Sequence, residues 1–241
     1  MKITIVIPTY NEAENIRKLI PQLLTLHSDD EIHILIVDDN SQDGTGAIVD
    51  EFCSQSPRVH AIRRAGKMGL GTAYIQGFAQ ALQDGADAVI QMDADFSHPV
   101  EKIPELLSAL KKFDLVIGSR YVKGGGLDVN WPFWRKALSA WGNFYARTLL
   151  GMRTKDVTGG FRAFRRSTLE AMPYQQVRSN GYIFQVEMAY IVYKLGMTIG
   201  EIPIYFAERE WGTSKMSFKI QVEAALRTWK LPSEYRNLRK K

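Results

Sequence analysis

The apolar positions of this chain follow two alternating rhythms. Short β-rich runs, Ile3-Thr4-Ile5-Val6-Ile7, Ile32 to Val37, Val59 to Ile62, Ala88 to Met92 and Leu115-Val116-Ile117, are separated by stretches with helical spacing. In the first of these stretches Ile16, Leu19, Ile20, Leu23 and Leu24 recur at helical intervals. Asn11-Glu12-Ala13-Glu14 before it reads as a helix start with Asn11 as the cap. Further helices are predicted from about Thr45 to Phe52, after Gly71, near Ile103–Lys111, and over Trp131–Leu150, Tyr182–Leu195 and Ser217–Trp229. Thr198 to Phe206 reads as a strand and Thr158-Gly159-Gly160-Phe161-Arg162 as a tight turn. Such alternation predicts an α/β fold, a Rossmann-like, mostly parallel central sheet with helices on both faces. No repeat or low-complexity linker divides it, so residues 1–241 are expected to form one domain, with 230–241 as a basic tail.

Composition narrows the class. At 241 residues, 45% hydrophobic and 24% charged, the chain has the balance of a soluble domain with a substantial core. The single cysteine, Cys53, excludes an internal disulfide and reads as a small core residue. Met1-Lys2 leads straight into the first strand, and no apolar run approaches the roughly 18–20 residues that cross a bilayer. A cytoplasmic protein without a signal peptide or transmembrane domain is therefore expected. The net charge of +5 owes much to Arg236, Arg239, Lys240 and Lys241. A basic balance suits nucleic acid, anionic lipid or phosphorylated substrates. No nucleic-acid-binding signature accompanies it, which leaves the last two.

Chemistry collects at the strand ends. Asp93-Ala94-Asp95 closes the run Ala88 to Met92, where open α/β sheets bind ligands. Read as a continuing strand, the two carboxylates share a face. Oxygen-only ligands suit a hard cation, Mg²⁺ or Mn²⁺, that also binds a substrate diphosphate. Tyr10 and Glu12, Asp38 and Asp39, and Arg120 fall at the same end of other predicted strands. Gly69-Leu70-Gly71 resembles a dinucleotide fingerprint, but Tyr74 stands where its third glycine belongs, and the motif follows the third strand rather than the first. It reads as a tight turn into a helix, with Lys67 beside it for an anion. No Walker loop or Gly-x-Ser-x-Gly elbow is present.

Trp131 to Leu150 is the second strong feature, with three of the five tryptophans. Trp134, Leu138, Trp141, Tyr145 and Leu149 make an apolar stripe, and Arg135, Ser139, Asn143 and Arg147 a polar one. An aromatic stripe suits a core or a membrane interface. The preceding Lys123-Gly124-Gly125-Gly126, read as a flexible hinge, favours a surface helix that meets lipid. Arg209-x-x-Gly212-x-Ser214-Lys215 sets two cations around a small turn, as needed to neutralise a leaving diphosphate.

Together these motifs resemble a known family. Pro8-x-Tyr10-Asn11-Glu12, Val37-Asp38-Asp39-x-Ser41-x-Asp43-Gly44-Thr45, Asp93-Ala94-Asp95-x-Ser97-His98, Gly118-Ser119-Arg120-Tyr121 and the Arg209–Lys215 motif occur in the order seen in inverting family 2 glycosyltransferases of the GT-A fold. Within that family the chain most resembles the polyprenyl (dolichyl) phosphate mannose synthases, over residues 2 to about 230. The resemblance implies a metal-dependent enzyme at the cytoplasmic face of a membrane. It would move mannose from GDP-mannose to a polyprenyl phosphate with inversion, with small membrane subunits as further partners. A UDP-glucose donor, a nucleotidyltransferase and a non-catalytic nucleotide-sugar sensor are the alternatives. By the same resemblance Pro8, Tyr10, Glu12, Val37 and Asp39 hold the nucleoside. Asp93, Ala94 and Asp95 meet the ribose-diphosphate and the metal, and Ser97 joins the metal shell. Arg120, Arg209 and Lys215 bind phosphates, and with Asp95 carry the catalysis. Arg120, Arg135 and Ser139 receive the acceptor phosphate. The chain departs from the pattern at Gly160, where many members have Ser, and at Trp211, bulky for its loop.

Overall fold

In the computed structural model, which describes residues 1–179, 181–207 and 218–238 (backbone only for 218–224), the β-rich runs become a seven-stranded sheet. In chain order its strands are β1 (Lys2–Thr9), β2 (Glu31–Asp38), β3 (Val59–Arg63), β4 (Ala88–Gln91) and β5 (Leu115–Ser119). A two-residue β6 (Gly126–Leu127) precedes β7 (Arg162–Arg165), β8 (Ile199–Pro203) and β9 (Tyr205–Phe206). The order across the large sheet is β3-β2-β1-β4-β7-β5-β8, while β6 and β9 pair separately. The helices are α1 (Ala13–Leu24), α2 (Thr45–Gln55), α3 (Leu70–Gln83), α4 (Ile103–Leu110), α5 (Phe133–Leu149), α6 (Arg166–Ala171), α7 (Tyr182–Lys194) and α8 (Phe218–Glu234).

Strand alternation sorts the core into two layers. Ile3, Ile5 and Ile7 of β1 join Ile32, Ile34 and Ile36 of β2 and the apolar sides of α1, α2 and α4. Val6, Leu35 and Val37 face the other way, against Tyr74 and Phe78 of α3 and Phe184 of α7. Every strand pair is parallel except those of β7, which runs antiparallel between β4 and β5. The parallel strands therefore end at one edge. The start of β7 lies there too, because it runs the opposite way.

Three expectations need correction. The glycine run at Gly124–Gly126 is no hinge. Gly126 begins β6, and a Cβ at Gly125 would lie 2.5 Å from the Ser119 carbonyl oxygen, so the run permits a close backbone approach. The Thr198–Phe206 strand is two, split at Ile204 between different sheets. Asn11 is not the cap of α1. Glu12 holds that position, while Asn11 is left-handed at φ 59°, donates its N–H to Ser41 Oγ and accepts the Gln42 N–H. It ties the first two strand-end loops together.

Candidate active site

Left-handed non-glycine residues mark the working edge. Among the described residues they are Asn11, Asn40 and Phe96, in the loops after β1, β2 and β4. Such backbone is costly and persists where the surroundings over-determine it, often at functional sites.

β4 ends at Gln91, so Asp93-Ala94-Asp95 is a loop rather than a strand, and the shared-face argument does not apply. The two carboxylates are instead gripped separately. Asp93 accepts the Tyr74 hydroxyl at 2.7 Å on Oδ1 and gives its own N–H to His98 Nδ1 at 3.0 Å. Asp95 is buried and accepts the Ser97 N–H and hydroxyl on Oδ1, at 3.2 and 2.5 Å. Ser97, itself fully buried, thus acts on Asp95. His98 stacks on Phe161 and meets the edge of Phe206. It closes the loop against the start of β7, where Gly160 lies beside it: a Cβ there would come within 3.3 Å of His98 Cε1 and 3.6 Å of Asp93 Oδ2.

On the β1–β2 side the acids organise loops. Asp38 accepts Thr9 Oγ1, Ser41 N–H and Ser41 Oγ. Asp39 accepts Arg64 at 2.5 Å on one oxygen and the N–H groups of Met68 and Gly69 on the other. It thereby shapes the loop into α3, and Lys67 of that loop lies 4.0 Å over the Tyr10 ring. The Glu12 N–H goes to Thr45 Oγ1, and its carboxylate accepts Asn15 Nδ2. Tyr10, Glu12, Asp39, Asp93 and Asp95 thus all stand in loops at one sheet edge, with Pro8 and Val37 paired in register beneath them.

The Arg120 guanidinium is built into the wall of the site. Nε and Nη2 form a bidentate pair with Asp156, both at 2.7 Å, and Nη2 also reaches Thr158 Oγ1. Burial would lift the Asp156 carboxyl, but the Arg120 charge overrides it and holds the group below the usual range. Arg120 thereby organises the wall of the site. Asp156 also accepts the Gly159 N–H. Below it, the fully buried Arg162 donates to the carbonyls of Val157, Gly159 and Gln185. Asp156, Thr158 and Arg162 were missed in the sequence, where this segment reads only as a turn. An acid ahead of Thr-Gly-Gly at a strand start was the available signal.

That wall is joined to α5. Buried Asn143 accepts the N–H groups of Val157 and Thr158 on Oδ1, and its amide donates to Thr158 Oγ1 at 2.8 Å. Ser139, on the same side, accepts the Tyr121 hydroxyl at 2.7 Å. Arg135 lies 3.6 Å over the Trp131 ring. The polar stripe therefore faces the protein and the aromatic side faces out. Phe133, Trp134, Trp141 and Phe144 are 86, 66, 57 and 57% exposed. With 3.6 residues per turn they fall within an arc of about 100°. Trp131 turns inward, edge-on to Phe206. α8 packs on α5 through a Tyr145 hydroxyl bond to the Ala225 carbonyl, and it exposes Leu226 and Trp229. No described helix is long and apolar enough to cross a membrane. Arg209, Trp211 and Lys215 lie outside the described residues.

Comparison with known proteins supports this architecture. The solved glucosyl-3-phosphoglycerate synthase of Mycobacterium tuberculosis, in complex with Mn²⁺, UDP and glucosyl-3-phosphoglycerate, superposes with a TM-score of 0.66 at 17% identity, covering 98% of this chain and 80% of that one. That likeness shows the fold. The chain is 44% identical over 241 residues to the undecaprenyl-phosphate mannosyltransferase of Micrococcus luteus, covering 99% of this chain and 98% of that one. It is 46% identical over 215 residues to the polyprenol monophosphomannose synthase of Mycolicibacterium smegmatis, covering 88% and 80%. The family model "Glycosyl transferase family 2" matches residues 4–172, a span that contains the acid pair, the Asp156 wall and α5; the chain belongs to glycosyl transferase family 2.

Proposed function

We propose that this glycosyltransferase moves mannose from GDP-mannose to a polyprenyl (dolichyl) phosphate at the cytoplasmic face of a membrane, inverting the sugar. One observation carries the reading: the wall beside the acid pair is bonded directly to a helix that turns four aromatic residues to solvent. A water-soluble acceptor would give no reason for that outward face, whereas a lipid phosphate requires a site beside an apolar surface. The similarity, over 99% and 88% of this chain, to two enzymes named for polyprenol-linked mannose transfer supports the same substrates.

The residues divide the work by position. Pro8, Tyr10, Glu12 and Val37 flank the nucleoside, in a loop cluster whose shape Asp39 maintains. Asp93 and Asp95 face the diphosphate. Their all-oxygen character fits a hard divalent cation, Mg²⁺ or Mn²⁺, with Ser97 acting through Asp95. Among the described residues no three acidic, histidine or cysteine side chains converge, so substrate and water would complete such a shell. When bound, the ion neutralises charge on the leaving diphosphate. Arg209 and Lys215 add positive charge there, and Arg135 and Ser139 guide the acceptor phosphate. A phosphate monoester with a second pKa of about 6 is already largely ionised at neutral pH, so no general base is needed. The remaining obstacle is the approach of two anions, which positioning and fixed cations lower.

The test is a screen of radiolabelled GDP-mannose and UDP-glucose with polyprenyl phosphate in vesicles and Mg²⁺ or Mn²⁺. The expected product is β-mannosyl phosphate lipid with release of GDP, lost in Asp95→Ala at unchanged thermal stability. A glucosyl lipid would replace the donor, pyrophosphate release in a parallel reaction with GTP and mannose 1-phosphate would mean a nucleotidyltransferase, and binding without turnover would mean a sensor.

A further inference from the structure

Tyr74 stands where a dinucleotide fingerprint would carry its third glycine, and the structure gives it a task. Its ring is wholly buried on α3, stacked on Phe78 and Phe184 at centroid distances of 5.9 Å. From that packed position its hydroxyl donates to Asp93 Oδ1 at 2.7 Å. The other carboxylate oxygen, Oδ2, lies 3.6 Å from where a Cβ on Gly160 would stand, room that a glycine leaves. The Asp93 main chain is held separately, by its N–H bond to His98. One oxygen is thus pinned by a neutral donor, and the other takes no part in that bond.

We propose that Tyr74 is a positioning residue that fixes the Asp93 carboxylate, so that Oδ2 alone is presented to the cation and diphosphate of the donor. The inference rests on the placement of Asp93 at the donor diphosphate given above. A donor behind a coordinating carboxylate fixes its orientation, and losing such a partner typically weakens metal affinity or activity by about 10- to 100-fold. A phenol is protonated at neutral pH, so the hydroxyl is available as the donor. A tyrosine serving only to pack would need no partner in the acid pair. A third glycine at this position would have brought the helix close to the sheet but left Asp93 Oδ1 without this bond.

Tyr74→Phe retains the ring and its stacking and removes only the hydroxyl. The experiment measures Mn²⁺ binding to the enzyme–GDP complex by electron paramagnetic resonance of free Mn²⁺, together with thermal midpoints and the KM for GDP-mannose. Wild type, Tyr74→Phe, Asp93→Asn and the double variant are compared. Tyr74→Phe is expected to weaken Mn²⁺ binding about 10-fold, with a midpoint within a few degrees of wild type. Asp93→Asn should lose at least as much, and the double variant no more than Asp93→Asn alone. If Asp93→Asn loses Mn²⁺ while Tyr74→Phe binds it like wild type, the role of Tyr74 is overturned and the reading of Asp93 stands. If Asp93→Asn itself binds Mn²⁺ normally, the reading of Asp93 fails and the role of Tyr74 with it. Additive losses in the double variant would show that Tyr74 does not act through Asp93, and would also overturn the proposal.

Discussion

Asp156→Asn tests whether the wall of the site is held by charge or merely by shape. The substitution preserves volume and leaves an oxygen for the Gly159 N–H. It removes the negative charge and sets an amide N–H₂ against the guanidinium donors. In the folded protein Asp156 accepts three bonds from Arg120, at 3.0, 2.7 and 2.7 Å, and one from Gly159 at 2.9 Å. Both side chains are shielded from water, at 6% and 0% exposure. Leaving one member of such a pair buried without its counter-charge costs about 3–5 kcal/mol. For a chain of this size about 3 kcal/mol corresponds to a midpoint fall of roughly 6–12 °C. The assay is urea denaturation followed by tryptophan fluorescence, since urea, being uncharged, does not screen the pair. The partner variant Arg120→Met completes a double-mutant cycle. Asp156→Asn/Arg120→Met should be less destabilised than the sum of the single variants by at least about 1.5 kcal/mol. A single-variant loss under about 1 kcal/mol, or strict additivity, would refute the claim that the pair holds this wall.

Two further outcomes are expected. The outward tryptophans, Trp134 and Trp141, expose 66% and 57% of their surface. That is roughly 150 Å² each, and half-insertion into a membrane interface is worth about 1.5–2 kcal/mol per residue. Trp134→Ser/Trp141→Ser should therefore weaken sedimentation with anionic liposomes about 100-fold or more, and reduce transfer to a short, soluble acceptor far less. Equal losses on both acceptors would mean that these residues serve the fold. The Asp156 carboxyl, despite burial, is held below its ordinary pKa by Arg120, so it stabilises the fold when ionised. That contribution is fully present above the unfolded value near 4 and is lost as pH falls through the lower folded value. Urea midpoints should fall more steeply below about pH 4 in wild type than in Asp156→Asn, and parallel slopes would contradict this.

The aromatic helix shows how far a pattern reaches. Periodicity set Trp134 and Trp141 apart from Arg135, Ser139 and Asn143, but Leu138, Tyr145 and Leu149 of the apolar stripe are half-buried, and the exposed Phe133 and Phe144 lie outside it. It did not say which stripe turns inward, since an aromatic row buries equally well in a core or in lipid. The structure decided this through Asn143, whose amide supplies both an acceptor and a donor to backbone that would otherwise be buried without partners. Trp131, in the same aromatic cluster, went the other way because Phe206 of β9 waits there, from a segment 75 residues later.

The acid motifs were legible at once, but their partners were not. Asp93 and Asp95 stood out by type and by position after an apolar run. Tyr74, His98 and Gly160 are bound to that site only because α3, the β4 loop and the start of β7 meet at one edge. The antiparallel β7 was itself invisible. Arg162-Ala163-Phe164-Arg165 is too short and too charged at its ends to read as a central strand, and its two arginines are satisfied by backbone carbonyls elsewhere in the chain.

By itself, then, the sequence determined the α/β alternation and the edge where the strand-end acids gather. These are local properties, set by side-chain spacing and backbone preference over a few residues. Tertiary structure alone decided that Arg120 is paired with Asp156, that Asp93 is held by Tyr74, and that α5 is bonded to the wall of the site. Each of those depends on a donor and an acceptor 14 to 36 residues apart meeting within about 3 Å, which no local pattern encodes.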